Sequence, residues 1–246
     1  MKNLKKVLSL VLALAMALSL MTAAFAADAS DYKDYSKVTY KEAVDVMTAA
    51  GIFNGGDGNN FNPDATLTRE QAAKIITYML VGQAKADKLT ATVAPYADVA
   101  ANRWSAGAIA YCTNEGIIAG DGNGRFNPTA PVLGTQFAKM LLVALGYDPA
   151  IEQYVGNDWA VNVAADAVDA GIAVSGVIMA DAMTREQAAQ MAYQTLEADM
   201  VRYASRGTTI QQPDGSTIIV GNTAAEPVSK TDSDYAGDSN DDTQQF

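Results

Sequence analysis

The chain has 246 residues, of which 49% are hydrophobic and 8% aromatic, enough apolar content for one or two globular cores. It carries 17 Lys and Arg against 28 Asp and Glu, and no His. That balance excludes broad electrostatic capture of nucleic acid, which needs clustered cations, and the missing imidazole excludes serine triads and most zinc sites.

Residues 1–26 read as a secretory signal peptide. Lys2, Lys5 and Lys6 precede an apolar run from Val7 to Met21, and Ala24-Phe25-Ala26 supplies a small-x-small cleavage point. The run is short for a membrane anchor, and no other apolar stretch is long enough to span a bilayer, so the mature chain has no transmembrane segment. Cleavage after Ala26 removes three of the 17 cations and no acid, leaving 14 against 28 and a net charge of −14. The single Cys112 has no internal partner for a disulfide. With Ile109, Gly116 and Ile117 nearby and no His to activate it, it reads as a small packed hydrophobe.

Residues 31–82 form a first unit of helix, loop and helix. Val44, Met47, Ala50 and Ile52 make an apolar stripe at near-helical spacing, and Gly51 is placed to end that helix in a left-handed cap. The loop GGDGNNFNPDAT follows, beginning at Gly55. A second helix starts at Thr68, which forms a capping box with Gln71. Ala72, Ala73, Ile75, Ile76, Met79 and Leu80 give it a wide buried face.

Residues 95–147 repeat this plan. Gly116, Phe126 and Pro128 match Gly51, Phe61 and Pro63 at a constant offset of 65, and Trp104 stands where the first unit has Tyr40. Tyr96-Ala97-Asp98 matches Tyr32-Lys33-Asp34. Residues 152–200 hold a worn third copy. Asp158-Trp159-Ala160 resembles Arg103-Trp104-Ser105, and Thr184 to Ala189 repeats Thr68 to Ala73 letter for letter. Its Gly-Asp-Gly loop is replaced by Val174 to Ala182. A helix pair this short cannot bury both its stripes, so the units must pack on one another. The tail, residues 201–246, offers a hairpin over 208–220 around Pro213-Asp214-Gly215, then an acidic end with Asp232, Asp234, Asp238, Asp241 and Asp242 that reads as disordered.

The loops are neither calcium nor nucleotide sites. Counted from Asp57 and Asp121, the twelfth residues are Thr68 and Val132 where an EF-hand needs Glu, and no Gly-Lys-Ser or Gly-Lys-Thr follows the glycines. They read as repeat joints, with Phe61 and Phe126 plugging the core and the glycines supplying positive φ. No metal and no cofactor are called for.

An aromatic-x-Asp entry, a Trp-led first helix, Gly-Ile, Gly-Asp-Gly-x-Phe-x-Pro and Thr-Arg-Glu, in this order, resemble the S-layer homology repeat. The resemblance spans roughly residues 31–200. It implies an all-α fold of three repeats in a pseudo-threefold spindle. It also implies non-covalent binding of secondary cell-wall polysaccharide, often pyruvylated, in grooves between repeats, and therefore a secreted, wall-associated binding protein, not an enzyme. The competing role is a surface protein-interaction or assembly protein whose glycan grooves have decayed.

Under this resemblance Thr68 and Arg69, with Thr184 and Arg185, are candidate ligand residues. A helix N-terminus presents unpaired amides to an anion, and arginine adds a planar fork suited to a carboxylate. The bland alternative is an arginine paired with a surface acid. Trp104 and Trp159 are either flat platforms for sugar rings or core side chains. Asp34 and Asp98 either accept from sugar hydroxyls or cap the first helices. The second repeat has Leu133-Gly134-Thr135-Gln136 in place of Thr-Arg-Glu, which predicts a weak groove there and at most two competent grooves, centred on Arg69 and Arg185.

Overall fold

The computed structural model describes residues 28–213 and 217–228. The expected signal peptide, the Asp214-Gly215 turn and the acidic end lie outside the described residues. Two short 3-10 turns, Ala29–Asp31 and Tyr35–Lys37, lead into α1 (Lys41–Ala49). After the first loop come α2 (Arg69–Val81) and the one-turn α3 (Gln83–Ala86). Helices α4 (Ala106–Asn114) and α5 (Gly134–Leu145) bracket the second loop, and α6 (Trp159–Asp169) and α7 (Arg185–Glu197) bracket the third.

Local sequence explains where these helices start and stop. Gly51, Gly116 and Gly171 follow the first helix of each pair with φ of 70°, 74° and 73°, the left-handed turn that glycine adopts without strain. Both α2 and α7 open on complete capping boxes, Thr68 with Gln71 and Thr184 with Gln187. At α5 only the return half is made by a side chain: Gln136 Oε1 accepts from Leu133 N at 3.1 Å.

The second helix of each pair packs on the first helix of another: α2 on α4, α5 on α6, and α7 back on α1. The apolar stripes are buried between units, not within them. At the centre three buried residues close a ring of backbone hydrogen bonds. Leu67 N donates to Met183 O at 2.9 Å, Met183 N to Val132 O at 3.0 Å, and Val132 N to Leu67 O at 2.9 Å. Amides removed from water at this depth need such partners. Phe61 and Phe126 are fully buried under the loops, beside Tyr32 and Tyr96, with ring centroids 5.7 and 5.5 Å apart.

Carboxylates also join the units. Glu70, at the start of α2, accepts from Arg103 Nε and Nη2 at 2.7 Å each and from Ser105 Oγ at 2.6 Å, just ahead of α4. On α7 the matching Glu186 accepts from Thr39 N at 2.6 Å, just ahead of α1.

Two small antiparallel ladders follow the helices. Strand β1 (Val201–Arg202) pairs with β4 (Glu226–Pro227), and β2 (Arg206–Gln211) pairs with β3 (Thr217–Asn222), Ile210 facing Ile218. Tyr203 ties this tail to the connection between α5 and α6 by donating to Glu152 Oε1 at 2.6 Å.

Candidate functional site

The loop ends set the site, because each Phe-Asn-Pro turn is gripped by a carboxylate from its own unit. Asp34 accepts from Phe61 N and Asn62 N at 2.7 Å each, and Asp98 from Phe126 N and Asn127 N at 2.8 Å each. Asn62 and Asn127 both sit at φ 58°, a left-handed conformation that asparagine tolerates better than most side chains. Burial raises the Asp98 carboxyl, but the two amides outweigh it and hold it below the usual carboxylate range. Neither aspartate caps a first helix. Tyr40 and Ser105 occupy those cap positions, without a side-chain capping bond.

The helix starts differ from the expectation of free amides. At α2, Thr68 N donates to Gln71 Oε1, Gln71 N to Thr68 Oγ1, Arg69 N to Ala130 O and Glu70 N to Pro128 O. At α7, Thr184 N, Gln187 N, Arg185 N and Glu186 N donate in the same way to Gln187 Oε1, Thr184 Oγ1, Ala65 O and Pro63 O. A neighbouring unit's loop therefore takes up the amides that an anion would use, and both threonines act as caps. The physical reason is the burial of these helix starts between units, where unpaired amides are costly.

Both arginines reach across to the loop of another unit. Arg69 Nε donates to Phe126 O at 2.8 Å and Nη2 to Ala119 O at 3.1 Å, with the guanidinium 4.6 Å from the Phe126 ring centroid. Arg185 repeats this on the first loop, donating to Phe61 O at 2.9 Å and Asn54 O at 3.0 Å, 5.1 Å from the Phe61 ring centroid. Backbone carbonyls hold these cations, instead of the surface acid of the bland alternative. Burial lowers both from the ordinary arginine value. Tyr96, Asp121 and Asp98 oppose this at Arg69, as do Tyr32 and Asp34 at Arg185. A cation fixed in place and partly stripped of water, yet not neutralised by contact, favours an incoming anion.

Each arginine lines a groove. The first, about 740 Å³, is lined by the loop at Asn54–Gly56, by Gln71, Lys74 and Tyr78 of α2, and by Arg185 and Trp104. The second, about 850 Å³, is lined by the loop at Ala119–Asp121, by Gln136, Lys139 and Met140 of α5, and by Arg69 and Trp159. Such volumes suit a ligand of one or a few sugar rings. Trp104 is 57% exposed, whereas Trp159 is half-buried with Lys139 Nζ 5.6 Å from its ring centroid. The structure brings together Arg185 with Trp104 and Arg69 with Trp159. It keeps Asp34, Asp98, Thr68 and Thr184 behind the grooves as supports.

The sequence reading missed Lys74 and Lys139. A signal existed: each lies six residues after the cap position, and Gln190 stands six residues after Thr184. The missing arginine of the second unit does not face the second loop, where the sequence expectation put it. Gly134 faces the third loop, where a Cβ would come within 2.9 Å of Met179 backbone atoms, so the deficit belongs to that junction. The groove at the second loop has its arginine from α2.

Helix pairs whose contacts and grooves recur from unit to unit define a helical repeat protein. The S-layer homology domain matches residues 31–73 and 95–138. Over 217 residues the chain is 30% identical to a cell surface protein of Thermoanaerobacter kivui, covering 87% of this chain and 27% of that protein. It is 28% identical over 209 residues to a middle cell wall protein of Brevibacillus brevis, covering 84% of this chain and 19% of that one. A surface layer protein of Brevibacillus choshinensis is 30% identical over 150 residues, 61% of this chain and 13% of its own length. The chain thus spans under a third of each of these relatives. Together the matches indicate a secreted, cell-wall-associated protein and support anchoring at the cell surface. Among the described residues no helix is long and apolar enough to cross a membrane.

Proposed function

We propose that the protein holds itself at the cell wall by binding an acidic secondary cell-wall polysaccharide in the grooves at Arg185 and Arg69. One observation carries the reading: two grooves combine the same trio, an arginine, a lysine and a tryptophan, each from a different unit. Where the lysine is not already matched by an acid of the protein, it and the arginine would receive a carboxylate, such as that of a pyruvyl ketal, while the tryptophan face covers the sugar ring. Residues 31–82, 95–147 and 152–200 are proposed as three repeats about a pseudo-threefold axis, the third having lost its loop motif. The closed ring at Leu67, Val132 and Met183 supports that arrangement.

The test is co-sedimentation of residues 27–246 with purified peptidoglycan sacculi, before and after acid removes the secondary polymer. The expected result is binding that disappears on stripping and falls in the Arg69→Ala, Arg185→Ala double variant. Binding that survives stripping, or is absent from both preparations, overturns the reading and directs attention to protein partners at the surface.

A further inference from the structure

The two grooves match in residue types but not in charge. In the first, Lys74 Nζ lies 2.8 Å from Asp87 Oδ1, and Tyr78 donates its hydroxyl to the same oxygen at 2.8 Å. Lys74 also sits 4.8 Å from the Tyr78 ring centroid, so lysine, tyrosine and aspartate form one cluster on the groove wall. Asp87 follows α3, the extra turn after α2. In the second groove Lys139 donates instead to Tyr154 O at 2.6 Å and stands over Trp159. The acids that follow α5, Asp148 and Glu152, are engaged elsewhere, Asp148 accepting from Arg206 and Glu152 from Tyr203. Asp121, on the rim of this groove, turns its carboxylate to its own loop, accepting from Asn123 N and Arg125 N at 2.9 and 3.2 Å. Among the described residues no carboxylate reaches Lys139.

A ligand carboxylate meets different surroundings in the two places. At Lys139 it would compensate an ammonium fixed by a carbonyl and partly desolvated by the groove. At Lys74 it would find the ammonium already matched, with a like charge alongside. We propose that Asp87 is an internal stand-in for a ligand acid, so that the Lys139 groove selects the acidic sugar and the Lys74 groove takes an uncharged part of the same polymer. This rests on the proposed function above. Burial lowers Lys139 from the ordinary lysine value, whereas the Lys74 ammonium, aided by Tyr78 against desolvation, holds Asp87 below the usual carboxylate range. Asp87 is thus a specificity-determining residue that no part of the repeat motif announces.

The experiment is isothermal titration of residues 27–246 with a methyl hexopyranoside bearing a 4,6-O-(1-carboxyethylidene) acid, and with the methyl ester of the same sugar. Wild type is expected to show one site that prefers the acid, lost in Lys139→Gln. Asp87→Asn keeps the acceptor for Tyr78 while removing the charge, and is expected to show two acid-preferring sites, the new one roughly tenfold tighter than before. The decisive variant is Asp87→Asn with Lys139→Gln, which should regain one acid-preferring site. Two equal acid-preferring sites in wild type, or none in that double variant, overturn the proposal and leave the groove reading standing. No binding of either sugar by any variant overturns both.

Discussion

Glu70 tests whether the Thr-Arg-Glu segment joins units or waits for a ligand. Replacing it with Ala removes a buried carboxylate that holds Arg103 at two points and Ser105 at one. Breaking a fully buried ion pair costs about 3–5 kcal/mol, and the 30% exposure of the Arg103 side chain lowers that to about 2–3 kcal/mol. For a helical domain of this size the melting temperature should fall by roughly 5–10 °C, measured by circular dichroism at pH 7. Glu186→Ala loses only the Thr39 amide and should cost less, about 1–2 kcal/mol. Acid adds a second readout. Burial raises the Glu70 carboxyl, but the Arg103 and Ser105 bonds outweigh it and hold it below the ordinary value of 4.5. A depressed folded-state value means the stabilisation is complete above about 4.5 and disappears as pH falls through the folded value. The gap between wild type and Glu70→Ala should therefore narrow as pH falls below about 4.5. Equal melting of the Glu70 and Glu186 variants at pH 7, or a gap that persists in acid, would refute the interlock.

Other residues separate support from contact. Trp104→Ala should leave the melting temperature within the effect of about 0.5 kcal/mol while weakening wall binding roughly three- to tenfold in co-sedimentation, because the ring is 57% exposed at a groove edge. Phe126→Ala should cost about 3–5 kcal/mol in urea unfolding, since the ring is fully buried and backs the Arg69 guanidinium. Cys112 is fully buried beside Thr77, and burial pushes its thiol up to about 12, so an aromatic disulfide reagent at pH 8 should label it only after denaturant is added.

What the sequence reveals follows the range of each interaction. The capping boxes at Thr68 and Thr184 act over three residues, and the glycine caps over one turn, so the helix starts and ends were legible from local pattern. The burial of Phe61 and Phe126 was legible because the motif recurs around them. The fate of Arg69 was not: its partners are carbonyls 57 and 50 residues away, and a backbone acceptor leaves no trace in residue identity. The same holds for the helix-start amides, which only the closed packing of α2, α5 and α7 onto other units takes out of reach of a ligand. Asp34 and Asp98 were found as residues and misread in role, since a carboxylate gripping a loop 27 or 28 residues on looks like any exposed acid in the chain. Because each groove draws on more than one unit, a substitution in one copy alters a site at the next junction. Gly134 therefore faces the third loop and not the second, and which groove a substitution touches can be judged only from the packed chain.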